Sequence, residues 1–172
     1  MTPMLLVLIL LAAILLFWAV GAYNRLVRLR SEVGKAFSAL DAVLSVQPAL
    51  IQASLPSVLT PDALPDDSPT HWSRLGSAGD QYARSLASAR AQPLDPEAIS
   101  ALCAAQRVLD DVWRSAARTA DDRDAHEAGL PEGMSSRFER LADQVAGPRE
   151  AFDVSVKAYN DAVRQFPALL LA

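Results

Sequence analysis

The chain has 172 residues and a net charge of −4, with a pI near 5.1; this balance argues against a nucleic-acid partner, because neutralising phosphates takes a basic surface. Its single cysteine, Cys103, excludes an intramolecular disulfide and a cysteine-built metal cage. Alanine is abundant and β-branched residues are few, so an all-α fold is expected, with about 150 residues beyond the first apolar run, enough for one domain with a sizeable core.

The chain opens on an unbroken apolar run from Met4 to Val20, extended by Gly21, Ala22 and Tyr23, and no charged side chain occurs before Arg25. About twenty such residues rise roughly 30 Å as a helix, the thickness of a bilayer's hydrocarbon core. A buried core helix fits poorly, because the run is apolar on every face and the domain is too small to enclose it. A cleaved signal peptide is the other alternative, with Ala19-Val20-Gly21 or Val20-Gly21-Ala22 as the small-residue site. However, Met1-Thr2-Pro3 carries no Lys or Arg, and the run exceeds the usual apolar length. The positive charges sit on the other flank: Arg25, Arg28, Arg30 and Lys35, against Glu32. An uncleaved anchor is therefore expected, N-terminus out and the following domain cytoplasmic, in the inner (plasma) membrane.

Past the anchor, Leu26, Leu29, Val33, Phe37, Leu40 and Leu44 recur at 3- and 4-residue steps, the stripe of an amphipathic helix. No breaker separates this stripe from the apolar run, so one long helix should leave the membrane directly. Pro48 removes a backbone donor and should kink or end that helix near Val46. Residues 56–70, with Pro56, Pro61, Pro65 and Pro69 among aspartates, read as a loop. A second helix carries Trp72, Leu75, Tyr82 and Leu86 on one face and stops at Gln92-Pro93. The third opens on Asp95-Pro96-Glu97, an N-cap acid followed by proline at the first helical position. Its stripe is Ile99, Leu102, Gln106, Leu109, Trp113 and Ala116 or Ala117. Residues 119–136 read as an acidic loop punctuated by Gly129, Pro131 and Gly133. The last helix carries Phe138, Leu141, Val145, Phe152, Val156, Tyr159, Val163 and Phe166, with a kink expected at Gly147-Pro148 and an end at Pro167.

Four amphipathic helices joined by short connections favour an antiparallel four-helix bundle following the transmembrane helix, with the anchor at 1–23 and the bundle at 24–172. In that topology the apolar tail after Phe166-Pro167 returns to the bilayer surface beside Tyr23 and Arg25. Packing against the bundle end and contact with lipid account for the tail equally well.

The two ends of the chain also carry a recognisable pattern. Tyr23-Asn24-Arg25-Leu26-Val27-Arg28-Leu29-Arg30, then Val33, Ala36-Phe37 and Asp41, follow the apolar helix. Arg149, Phe152-Asp153, Val156, Tyr159-Asn160, Val163, Phe166-Pro167 and the final Ala172 close the chain. This arrangement resembles the LemA family, in which a tyrosine–asparagine pair directly follows one N-terminal membrane helix. The family's far end has an arginine, two tyrosine–asparagine repeats and a phenylalanine–proline before a short apolar tail. The resemblance covers roughly residues 5–55 and 138–172 and marks a divergent member. Phe152-Asp153 stands for the first repeat, Ser45-Val46-Gln47-Pro48-Ala49-Leu50-Ile51-Gln52-Ala53 replaces a stretch with a basic pair, and Ala142-Asp143-Gln144 replaces a glutamate–asparagine–arginine box. It implies a bacterial membrane-anchored helical bundle, no catalytic activity, and Tyr23, Asn24, Arg149, Tyr159, Asn160, Phe166 and Pro167 as motif residues.

The residues themselves assemble no chemistry. His71 and His126 stand far apart with no metal-type spacing beside them, and surface histidines are the plainer reading. Cys103, flanked by Leu102 and alanines, reads as a buried small filler. There is no phosphate-binding glycine loop, nucleophile elbow or dinucleotide fingerprint. Asp121, Asp122 and Asp124 lack calcium-loop spacing and read as a solvated acidic loop. Asp41, Arg149 and Asn160 are expected to make structural polar contacts between the first and last helices. The expected function is a non-enzymatic interaction or scaffold module on the bilayer, with a protein partner and no cofactor. A ligand-binding or signal-sensing bundle is the alternative.

Overall fold

The computed structural model describes residues 3–58, 71–121 and 133–165. Among these residues all regular structure is helical, as the composition implies: α1 (Pro3–Leu44), α2 (Val46–Val58), α3 (His71–Ala91), α4 (Pro96–Asp121) and α5 (Met134–Arg164). The apolar run and the first amphipathic stripe form one uninterrupted α1 of 42 residues, about 63 Å long at 1.5 Å per residue.

The break expected near Val46 occurs at Ser45, a single turn residue between α1 and α2. Its amide still donates to Asp41 O at 2.9 Å, and its hydroxyl donates to Ala42 O at 3.3 Å. Pro48 is thereby the third residue of α2, where an amide has no intrahelical acceptor to lose, so the ring is tolerated and buried.

Both loops are shorter than the sequence suggests. Helix α2 runs on to Val58, so Pro56 lies within it rather than opening a loop. A proline's φ is itself helical and its missing amide removes one bond, which delays the end by a few residues. Helix α4 continues to Asp121, and α5 starts at Met134 rather than beyond Ser136. Gly133 makes that start: its φ of 75° is left-handed backbone that only glycine adopts cheaply. Its carbonyl accepts from Arg137 N at 3.1 Å and Ser136 Oγ at 2.9 Å. The rest of the expected loops, including Pro61, Pro65, Pro69, Asp122, Asp124, His126, Gly129 and Pro131, lies outside the described residues.

The chain divides into two compact units, one of residues 37–149 and one of residues 1–36 with 150–172. In the first, α3 packs on both α2 and α4. The chain reverses at Gln92-Pro93, and Asp95 caps α4: Oδ1 accepts from Glu97 N at 3.1 Å while its carbonyl accepts from Ile99 N at 3.1 Å. The capping acid and first-position proline behave as their types predict. The buried faces of α3 and α4 mix small and large residues, Ala78, Ala89, Ala98 and Ala105 with Leu75, Leu86, Leu102 and Leu109. Alanine faces let helix backbones approach closely. Where α2 meets α3, Gly79 lies against a fully buried Ile51, and a Cβ on it would stand 3.5 Å from Ile51 Cδ1, an ordinary contact. Trp113 of α4 and Phe138 of α5 stack with centroids 3.9 Å apart and planes 9° from parallel.

In the other unit, Leu26 and Leu29 of α1 bury against Ala162 of α5, with Tyr159 and Val163 packed around them. Helix α5 passes through Pro148 without ending. That residue has no amide to offer Gln144's carbonyl, so the helix continues one bond short.

Candidate functional site

From Met4 to Val20 every large apolar side chain of α1 is exposed, between 47% and 80%. Helices that face a protein core show a polar side and a hidden apolar side; this one has neither. It is the one helix among the described residues long and apolar enough to cross a membrane, and it lies near the N-terminus.

Directly above it, α1 and the last turns of α5 form a neck. Arg25 Nη1 donates to Gln165 Oε1 at 2.9 Å, and the Leu26–Leu29–Ala162 contact follows one turn further on. Arg28 and Glu32 approach to 3.7 Å, both well exposed. The neck gathers several motif residues: Tyr23 and Asn24 are exposed at its base, Tyr159 is half-buried against the leucines, and Asn160 is exposed beside it. Arg149 is exposed and belongs to the other unit. Phe166 and Pro167 lie outside the described residues, as does the tail beyond them.

The polar contacts proposed between the first and last helices are differently arranged. Asp41 pairs with α3: Arg90 Nε donates to Oδ2 at 2.9 Å and Nη2 to Oδ1 at 2.8 Å. This bond to Asp41 and its charge raise the Arg90 pKa above its ordinary value. A partner 49 residues away leaves no local signal in sequence. Asn160 points to solvent, so it is no buried register-setting residue. Among the described residues a polar link between α1 and α5 is made instead by Arg25–Gln165, which no spacing rule singles out.

The interior of the first unit holds a polar layer that the apolar periodicity conceals. Tyr82 of α3 is fully buried, and Gln47 of α2 is 6% exposed. The Tyr82 hydroxyl, Gln47 Oε1 and Gln106 Oε1 are all buried without a hydrogen-bond partner among the described residues. Gln106 Nε2 donates to Asp110 Oδ1 at 2.8 Å. Gln47 lies one turn before Ile51, Tyr82 lies one turn after Gly79, and the Ile51–Gly79 contact brings those turns together. Burial pushes the Tyr82 phenol well above its usual range, with smaller contributions from Asp110, Asp41 and Cys103. A buried polar atom left unmatched costs about 1–3 kcal/mol, which sets the scale of what these three atoms cost if nothing else satisfies them.

Cys103 corrects the sequence reading: it is exposed, not core filler. Leu102 turns inward, and the next residue is rotated by 100° onto the outer face. Among the described residues no group of three His, Cys, Asp or Glu side chains could hold a metal ion. The side chains of His71 and His126 lie outside the described set.

Comparison with protein-family models, with curated proteins and with solved structures gives no match.

Proposed function

We propose that the protein is a single-pass membrane protein whose helical module serves as an interaction scaffold, without catalytic activity of its own. The observation that carries this reading is the wholly exposed apolar stretch of α1, which continues without a break into the amphipathic part of the same helix. An exposed helix of that length is costly in water and stable in hydrocarbon. The arginines following it support, by the positive-inside rule, a module on the cytoplasmic side of the inner membrane. In this reading the amphipathic helices close as an antiparallel bundle, and the resemblance of both chain ends to the LemA family supports the same architecture. The polar layer around Tyr82 favours a second reading, a bundle that binds a small polar ligand and signals along α1.

Cys103, the only cysteine and exposed, makes the orientation directly measurable. A membrane-impermeant maleimide should label it only after the cells are permeabilised, with the protein retained in the membrane through alkaline carbonate extraction. Release by carbonate overturns the anchor, and labelling in intact cells overturns the orientation. Crosslinking in the native membrane then separates the two functions. A stoichiometric protein partner supports the scaffold; its absence, with the module folded, moves the weight to the ligand.

A further inference from the structure

We infer that the neck is a binding collar for anionic phospholipid headgroups, resting on the reading of α1 as a bilayer-spanning helix. The net charge of the chain is negative, yet its arginines concentrate where the apolar run ends. Arg25, Arg28 and Arg30 occupy the first turns of α1 after Tyr23. Arg164 joins them from α5, next to the Gln165 that accepts from Arg25. At 1.5 Å per residue, the three α1 arginines stand roughly 3, 8 and 11 Å beyond Tyr23 along the axis, while Lys35 stands roughly 18 Å away. A headgroup layer about 5–8 Å deep, with screening over about a further 8 Å at physiological salt, keeps the arginines within reach of lipid charge and leaves Lys35 outside it.

The local charges leave these arginines available. Arg25 is oriented by a neutral carboxamide, which fixes the side chain without cancelling its charge. Glu32 meets Arg28 at 3.7 Å with both groups exposed, a pair that solvent largely screens. Asp161, exposed one turn before Gln165, is the other acid of the neck. Among the described residues, two acids against four arginines leave the collar positive. Guanidinium groups match phosphate oxygens two at a time, and arginines at helix ends extend toward the interface. The phosphate chemistry would also suit a free anion; continuity with the exposed apolar stretch selects the lipid.

The full-length protein in phosphatidylcholine vesicles tests this. A minor fraction of the lipid is dibrominated phosphatidylglycerol or, in parallel, dibrominated phosphatidylcholine. Acyl-chain bromine quenches Trp18 inside the apolar run, and the Trp18→Phe protein gives the background from Trp72 and Trp113. Phosphatidylglycerol should associate roughly fivefold more strongly than phosphatidylcholine, the scale set by one basic residue at an anionic surface. That preference should fall clearly in the Arg28→Gln/Arg30→Gln protein, whose altered side chains are solvent-exposed and which keeps Arg25 and Arg164, and persist in full in Lys35→Gln. Equal quenching by both lipids in the native protein overturns the collar and leaves the anchor standing. Loss of the preference in Lys35→Gln as strongly as in the double variant also overturns it, as does its abolition by inorganic phosphate at constant ionic strength. No quenching by either lipid overturns the anchor itself.

Discussion

Arg90 and Asp41 form a two-pronged ion pair across 49 residues of sequence, with two guanidinium nitrogens, Nε and Nη2, within 2.9 Å of the carboxylate oxygens. The aspartate is 17% exposed and the arginine 56% exposed, so one end of the bond is sheltered and the other wet. It clasps the end of α1 to the end of α3, just where Ser45 interrupts the helix.

The planar fork, more than the charge, should carry this clasp. Arg90→Lys retains the charge and loses the paired geometry, so its urea midpoint in detergent micelles should fall most of the way toward that of Arg90→Gln. A double-mutant cycle with Asp41→Asn should show favourable coupling that weakens with added salt. Additive single effects would mean that the pair is a bystander.

Asp95 offers a local test. Its side chain satisfies the Glu97 amide at the start of α4, and Asp95→Ala should lower stability by about 1 kcal/mol. Asp95→Asn, which keeps a side-chain acceptor, should restore most of that loss. The comparison of the two thermal midpoints separates capping from any general effect of substitution.

The contrast between these two residues explains what sequence could reveal. Asp95-Pro96 is a signature read within one turn, and so is the leucine stripe from Leu26 to Leu44, because helix geometry fixes which neighbours share a face. Arg90 finds its partner through tertiary packing, which no short-range pattern encodes. Cys103 escapes the pattern for a further reason: alanine does not declare a face. Ala98, Ala105 and Ala116 turn inward on α4 while Ala101 and Ala104 face solvent, so the apolar surroundings of Cys103 carry no directional information. The polar layer was legible in part. The 3–4 spacing put Tyr82 on the buried stripe and Gln106 on the next, but Gln47 carried no signal.

Gly79 lies in the interior of α3, where glycine is about 1 kcal/mol less favourable than alanine. A Cβ there would meet Ile51 at 3.5 Å, an ordinary contact. Gly79→Ala should therefore raise stability by up to about 1 kcal/mol. Gly79→Leu should lower it by about 1–3 kcal/mol through overpacking. If both substitutions destabilise, Ile51 has no room to yield, and the α2–α3 seam is tighter than its distances imply. Urea melts of the two variants decide between these outcomes.

Tyr82 links the buried layer to pH. Its phenol is held neutral chiefly by burial, so its folded-state pKa lies above the unfolded value. An unfolded tyrosine ionises near about pH 10. Below that pH the phenol is neutral in both states and its contribution to stability is fully present. As pH climbs above it, the unfolded chain loses the proton while the folded chain keeps it, and that contribution is lost toward the raised folded value. Stability should thus fall in alkali, and Tyr82→Phe should flatten the fall relative to the native protein. At neutral pH the same substitution should stabilise by about 1 kcal/mol, because it removes a buried hydroxyl that has no partner among the described residues. Phenolate absorbance at 295 nm gives an independent reading: the difference between native protein and Tyr82→Phe should appear only with global unfolding. A destabilised Tyr82→Phe protein at neutral pH would instead show that the hydroxyl is engaged, favouring a bound polar molecule in the layer and the ligand-sensing reading over the scaffold.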